Sequence, residues 1–279
     1  RKIIKDFKPM VAVGVGGYAS GATLYECSKM GIPCLIQEQN SYAGVTNKLL
    51  AKRVQKICVA YEGMDRFFPA DRIIMTGNPV RQNVLDSPLT KEQARESFGL
   101  EPDKKTILIV GGSLGARTMN ESVQRHLDIV AESGLQFIWQ TGKYYNAKIM
   151  EFMKDKNVPN LKVLDFISDM GAAYKASDLV ISRAGASSIS EFQLIGKPTI
   201  LVPSPNVAED HQRKNAMALV NRQAALYVED AEAPDKLLPL AVKTVNDDDK
   251  LRSLSENVKK MGLKNSADVI ADEVLKLIK

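Results

Sequence analysis

Four segments carry residues that could bind a phosphorylated ligand, each lying where a strand reading ends and a helix reading begins. The first is Gly14-Val-Gly-Gly-Tyr18-Ala-Ser-Gly21 and the second Gly111-Gly-Ser113-Leu-Gly115-Ala116. The third runs Ser182-Arg-Ala-Gly185-Ala186-Ser187-Ser188-Ile189-Ser190-Glu191, and the fourth runs from Pro203 through Glu209-Asp210-His211-Gln212 to Asn215. Glycine permits tight turns and close backbone approach. Free N–H groups at a helix start, with the positive dipole end, suit phosphate. Glycines that merely allow βα turns are the structural alternative.

The segments admit more than one chemistry. Neither glycine motif matches G-x-G-x-x-G in register, so nicotinamide binding is weakly supported. Gly111-Gly-Ser113-Leu-Gly115 also fits the nucleophile elbow G-x-S-x-G, with His211 and either Asp165 or Asp178 completing a hydrolase order. That rival leaves the first glycine motif without a role. Ser188-x-x-Glu191 reads either as a capping box or as a helix start whose Glu191 faces a cleft and takes ribose hydroxyls. Asp210 reads as an N-cap, and Gln212 could meet a sugar hydroxyl. Gln37-Glu38-Gln39-Asn40 ends a strand with four polar residues, suited to sugar recognition or to a solvated loop. Leu49 and Leu50 stand among Lys48, Lys52, Arg53 and Lys56, which reads as a basic amphipathic helix for a membrane surface or as an ordinary solvated face. His126 reads as a surface residue. Two histidines and no D-x-D pair argue against a metal site.

The elements that must position these residues alternate. Strands are expected at Val11–Val15, Cys34–Ile36, Ile57–Ala60 and Ile73–Met75, with helices at Ser20–Met30 and Val45–Val54. Gly77-Asn-Pro-Val-Arg81 and Pro88 break the series as a linker. It restarts with strands at Thr106–Val110, Gln136–Gln140, Lys162–Leu164, Leu179–Ser182 and Thr199–Val202. Helices are expected at Ala116–Glu132, Lys143–Lys154, Met170–Ala176, Ser188–Ile195 and Asp210–Asn221, and from Ala233 onward, the last at Ala267–Lys279. Val- and Ile-rich runs without alternation are strands buried on both faces, and their alternation with helices implies parallel α/β sheets.

The 279 residues suggest two domains. A net charge of +5 is too small to indicate nucleic acid. Cys27, Cys34 and Cys58 form neither an even set nor a C-x-x-C, so a reducing setting without disulfide or zinc is expected. No apolar run approaches the length of about 18 residues needed for a span, and no signal peptide is visible. Arg1 opens what reads as a helix tail, so the sequence is expected to begin inside a domain.

Together the motifs closely resemble the MurG family of N-acetylglucosaminyltransferases in peptidoglycan synthesis (glycosyltransferase family 28). Those carrying the likeness are Gly14-Val-Gly-Gly-Tyr18-x-Ser-Gly21, Glu38-Gln-Asn40 with Ala43-Gly-x-Thr-Asn47-Lys48, Gly77-Asn-Pro-Val-Arg81, Gly111-Gly-Ser113-x-Gly-Ala116, Ser182-Arg-x-Gly185 through Ser190-Glu191, and Gln212-x-x-Asn215-Ala. They occur in this order across essentially the whole chain. The resemblance implies a GT-B architecture of two doubly wound Rossmann-like domains, the first incomplete. It implies residues 1–81 as the latter half of an acceptor- and membrane-facing domain, 82–260 as the UDP-GlcNAc-binding domain, and 261–279 as a helix packing back on the first. The implied reaction moves GlcNAc from UDP-GlcNAc, a co-substrate, to the C4 hydroxyl of polyprenyl-diphosphate-linked muramyl-pentapeptide, with inversion. No cofactor or metal is implied, and the implied place is the inner face of the bacterial membrane, against anionic lipid.

By the same resemblance Ile167 would meet uracil through its backbone and Glu191 would hold ribose. Ser113 and the turn Ala186–Ser190 would bind the diphosphate side with Arg81 nearby, and Asn40 and Gln212 would address GlcNAc. Glu38 is the candidate base, and Tyr18 would help position the acceptor. Lys48, Leu49, Lys52 and Arg53 would face lipid. The family's opening G-G-T-G-G-H turn, thought to take the acceptor diphosphate, is absent here, and Gln37 stands where many relatives have His. On the order of 80 residues are expected to precede this sequence, roughly half of a Rossmann-like domain. The expectation is donor binding with poor turnover. A UDP-sugar epimerase or nucleotide-sugar binder of the same architecture is the alternative.

Overall fold

In a computed structural model describing residues 1–278, every strand runs parallel to its neighbours in two separate sheets. The first sheet places β1 (Ala12–Gly14), β2 (Cys34–Glu38), β3 (Lys56–Val59) and β4 (Ile73–Met75) in chain order. Helices α1 (Lys2–Phe7), α2 (Gly17–Lys29) and α3 (Val45–Leu50) belong to this half. Its core gathers Leu24, Ile36, Leu50, Ile57, Met64 and Phe68.

The linker leads through α4 (Gln82–Leu85) and α5 (Lys91–Ser97), the latter closed by a Thr90–Gln93 capping box. The second sheet contains β5 (Thr106–Val110), β6 (Gln136–Gln140), β7 (Leu161–Leu164), β8 (Leu179–Ser182), β9 (Thr199–Leu201) and β10 (Leu226–Tyr227). Their spatial order is β10-β9-β8-β5-β6-β7. Renumbered within this domain, that is the 3-2-1-4-5-6 order of the doubly wound dinucleotide fold, whose strand order reverses between β5 and β8. The intervening helices are α6 (Arg117–Arg125), α7 (Leu127–Glu132), α8 (Asn146–Met153), α9 (Met170–Ala176), α10 (Ala186–Ile195) and α11 (His211–Val220). After β10 come α12 (Ala233–Val245), α13 (Asp248–Lys260) and α14 (Ser266–Leu275).

Successive strand residues feed opposite faces, which is why these runs are apolar throughout. Leu108, Ile138, Val180 and Leu201 enter one core cluster. Ile107, Ile109, Trp139, Ile181 and Ile200 enter the other. Several boundaries differ from the sequence reading. The expected helix Ala116–Glu132 is two helices, broken at His126, whose ring Nδ1 lies 3.0 Å from the Ser122 carbonyl. Helix α3 stops at Leu50, four residues early, and β10 is an added edge strand. Helices α2 and α10 begin at Gly17 and Ala186, before the expected Ser20 and Ser188. The expected final helix runs Ser266–Leu275, and Lys279 lies outside the described residues. Helix α4 lies against α9 and α10. Ser266 and Leu263 approach Gly77 closely enough to exclude a side chain there.

Candidate active site

The turns after β5 and β8 meet where the strand order reverses, and a cavity of about 470 Å³ opens there. Gly111, Gly115, Gly185, Ser188, Asn206 and Gln212 are among its walls. Open α/β sheets bind ligands at this position. A larger cavity, about 790 Å³, lies between the linker, α9 and the Leu263–Asp268 segment and contains none of the glycine turns.

The β5 turn is held by glycine chemistry. Gly112 and Gly115 have φ of 86° and 87°. A Cβ on Gly115 would sit 2.1 Å from the Thr141 carbonyl oxygen, so only glycine lets this turn close on the β6–α8 loop. Ser113 is exposed in the turn, and its carbonyl accepts the Lys143 N–H at 3.1 Å.

The β8 turn resolves the ambiguity at Glu191. Gly185, not Ser188, is the N-cap of α10, so Ser188 stands inside the first turn and no capping box forms. Glu191 instead accepts the Tyr174 hydroxyl at 2.7 Å. Burial pushes the Glu191 carboxyl above its ordinary pKa, while the Tyr174 bond and the nearby Arg81 guanidinium pull the other way. Burial likewise raises the Tyr174 phenol, and the Glu191 charge adds to the rise. The turn is braced from behind, since Arg183 donates to the Val202 and Pro203 carbonyls and to Asp230, whose carboxylate also accepts Thr118.

Ile167 has a buried side chain in the same core cluster as Tyr174 and Ile189. Among the described residues, its backbone N–H and carbonyl have no hydrogen-bond partner. Gln212 accepts the Ser204 N–H at 2.9 Å and keeps its amide N–H groups for the cavity it lines. Asp210 is the N-cap residue of α11, as read, but with φ of 53° its side chain makes no cap bond. Arg81 is exposed at the start of α4.

Several expected roles fail on geometry. Glu38 is 2% exposed, and its carboxylate accepts from the Asn40 N–H and amide, the Gly44 N–H and the Asn47 amide. It clamps the 38–47 loop and is no free base. Asn40 is tied up as well, its Oδ1 accepting the Asn215 amide at 3.0 Å. Asn215, fully buried, also accepts the Ser41 N–H at 2.8 Å, so it bridges the two domains. Tyr18 is 97% exposed, so its ring is held by no packing of the described residues. Lys48 pairs with Glu209 of the second domain at 3.3 Å and lies over the Tyr42 ring, which removes it from the lipid-facing set. Leu49 stays 74% exposed, Lys52 is exposed, and Arg53 stacks on Tyr25 at 4.6 Å. The hydrolase triad is not assembled. Asp178 sits at the amino end of β8, opposite the Ser113 edge, and is paired with Lys91 and Arg95. His211 turns its Nδ1 to the Ala208 carbonyl.

The glycosyltransferase family 28 C-terminal domain matches residues 106–272, and the family's N-terminal domain matches residues 1–59. The chain belongs to glycosyltransferase family 28. It is 64% identical to the UDP-N-acetylglucosamine–N-acetylmuramyl-(pentapeptide) pyrophosphoryl-undecaprenol N-acetylglucosamine transferase of Bacteroides thetaiotaomicron, over 99% of this chain and 75% of that protein. The enzyme of the same name from Bacteroides fragilis is 63% identical, over 99% and 73%. The crystal structure of Acinetobacter baumannii MurG superposes with a TM-score of 0.79 at 31% identity, over 99% of this chain and 76% of that one. A UDP-GlcNAc 2-epimerase from Neisseria meningitidis reaches 0.70 at 16% identity, over 99% and 78%, a likeness of fold alone. As a family 28 chain with two parallel α/β sheets, it has the GT-B architecture.

Asn78, Tyr174, Asn215 and the Arg183–Asp230 pair were missed by sequence reasoning as site-forming residues. Asn78, Arg183 and Asn215 lie inside the quoted motifs, but their partners are far away in the chain.

Proposed function

We propose that this chain is an inverting transferase that moves GlcNAc from UDP-GlcNAc to the C4 hydroxyl of the muramyl sugar on a polyprenyl diphosphate. The observation that carries this reading is the cavity where the β5 glycine turn meets the start of α10, lined by Gly111, Gly115, Gly185 and Ser188. Identities of 63–64% to enzymes named for that reaction support it.

In this reading the hydroxyl oxygen attacks the anomeric carbon and gives up its proton to solvent, the bond from that carbon to the UDP oxygen breaks, and UDP leaves with the electron pair and the charge. The N–H groups of Ala186, Ser187 and Ser188 precede the first intrahelical bond of α10, which runs from Ile189 to the Gly185 carbonyl. They and the helix dipole stabilise the departing diphosphate, with Ser113 and Arg81 on its flanks. Glu191 takes the ribose hydroxyls, and the free backbone of Ile167 reads uracil. Gln212 meets the sugar. The epimerase alternative rests only on a shared fold, while the transferase names come with high identity along the chain.

Calorimetry with UDP-GlcNAc tests the reading, using wild type and Glu191→Ala, with UDP-glucose and NAD as controls. The expected result is selective binding of UDP-GlcNAc, weakened at least about tenfold by the substitution, a loss of about 1.4 kcal/mol or more. Equal binding of NAD would overturn it.

We also propose that Leu49, Lys52 and Arg53 rest on anionic lipid at the inner face of the bacterial membrane. No described helix is long and apolar enough to cross a membrane. Cosedimentation with vesicles containing phosphatidylglycerol, lost in Leu49→Asp/Lys52→Glu, is the expected result.

A further inference from the structure

A line of side-chain hydrogen bonds, exposed at its Val15 end and buried from Gln37 through Asn78 to Ser190, joins the first glycine turn to the start of α10. Gln39 Nε2 donates to the Val15 carbonyl at 3.0 Å and to Gln37 Oε1 at 2.7 Å. Gln37 Nε2 donates to Asn78 Oδ1 at 2.7 Å. Asn78 Nδ2 donates to the Gln39 carbonyl and, across the domain boundary, to Ser190 Oγ, both at 3.0 Å. Ser190 Oγ then donates to the Ala186 carbonyl at 3.0 Å. Gln37, Asn78 and Ser190 are 3%, 5% and 5% exposed.

The roles along this line are set by chemistry. Ser190 accepts from Asn78, so its single proton goes to Ala186. Asn78 uses both amide protons and its carbonyl oxygen, which only a carboxamide can do at this size. Its backbone is pinned too. Gly77 before it has φ of 76° and no room for a side chain, and Pro79 after it restricts it to extended conformations. A buried network with every group satisfied favours one arrangement over its neighbours.

We infer that Asn78 is a positioning residue that couples the Val15–Gly17 turn of the first domain to the donor-binding turn of α10. This rests on the proposed diphosphate role of Ala186–Ser188. The first domain thereby sets where the α10 N–H groups point, and a donor bound there is felt at Val15. Asn78 does not line the cavity at the α10 start, and lines the larger one beside the linker instead.

Asn78→Asp tests this without a change of volume, because it removes the donors to Ser190 and to the Gln39 carbonyl. Ser190→Ala removes the last two links, to Asn78 and to Ala186, leaves the Asn78 side chain in place, and guards against misfolding of the first variant. Calorimetry with UDP-GlcNAc gives the affinity. Hydrogen–deuterium exchange of the Val15–Tyr18 peptide, with donor saturating, gives the coupling. The expected result is a severalfold weaker affinity in each single variant and no further loss in the double variant. Slowed exchange at Val15–Tyr18 on donor binding is expected in wild type and absent from both variants. A residue with a merely structural role would leave that response intact at saturation. An unchanged exchange response in the variants, no response in wild type, or additive losses would overturn the coupling. Failure of the wild type to bind UDP-GlcNAc at all would instead sink the functional reading.

Discussion

Replacing Glu191 by glutamine should separate stability from binding. The carboxylate is half-buried, accepts the Tyr174 hydroxyl at 2.7 Å and has Arg81 nearby, yet its pKa is raised because desolvation outweighs both. The ionised form is therefore less favourable in the fold than in the unfolded chain. When a carboxyl is shifted upward, the folded state holds the proton more tightly. Stability then falls as pH rises from the ordinary glutamate value through the raised one. Above the raised value that cost is fully present. Glutamine removes the charge and keeps an oxygen for Tyr174, so a gain of a few tenths to about 1 kcal/mol is expected. Binding moves the other way. Two ribose hydroxyls on a carboxylate contribute about 1.5–3 kcal/mol each, and neutral bonds are about half as strong. The net loss is about 1.5–3 kcal/mol, roughly ten- to hundredfold in affinity. Urea unfolding at neutral pH and near pH ~4, the ordinary glutamate range, follows the first effect, and calorimetry with UDP-GlcNAc the second. Glu191→Gln should be more stable at neutral pH, lose that advantage in acid, and bind donor more weakly. A variant that is less stable at neutral pH and binds as tightly as wild type would refute the reasoning.

Other substitutions probe the supports of the site. Gly115→Ala forces a side chain to φ of 87° and to 2.1 Å from the Thr141 carbonyl. The dihedral alone costs about 1–2 kcal/mol, so the melting temperature should fall by roughly 2–8 °C and donor binding should be lost. Asn215→Ala leaves the Ser41 N–H and the Asn40 Oδ1 without their partner across the domain boundary. Chemical denaturation should show a loss of about 1–3 kcal/mol, and an unchanged midpoint would count against the bridge. Lys197 is pushed down to about 8 by burial, with Lys91 adding to the shift. The unfolded chain then holds more protons between about pH 8 and the ordinary lysine value, so unfolding free energy should rise across that window. Lys197→Met should flatten that slope.

Local rules carried much of the fold. Val- and Ile-rich runs marked nine of the ten strands, because a strand buried on both faces must be apolar throughout. Glycine positions marked the turns, because φ near +85° at Gly112 and Gly115 excludes most other residues. Strand–helix alternation pointed to parallel α/β sheets, and the order of motifs pointed to the family and, through that resemblance, to the doubly wound architecture. Helix starts were less legible. Ser188 and Glu191 spell a capping box in one dimension, but α10 begins two residues earlier at a glycine cap, which frees Glu191 for Tyr174.

Partner choice was decided only in three dimensions. Glu38, Asn40 and Lys48 have residue types suited to catalysis, sugar binding and lipid. Packing instead gives them to a loop clamp, an interdomain amide and a salt bridge. Asn78 meets Ser190 across 112 positions and Asn40 meets Asn215 across 175. Periodicity and capping act over a few residues, whereas these bonds exist only once two separately folded sheets face each other. The sequence by itself therefore determined the elements, the turns and the family. The tertiary structure decided which polar groups remain free to meet a ligand, because a buried donor or acceptor must find a partner wherever the fold supplies one.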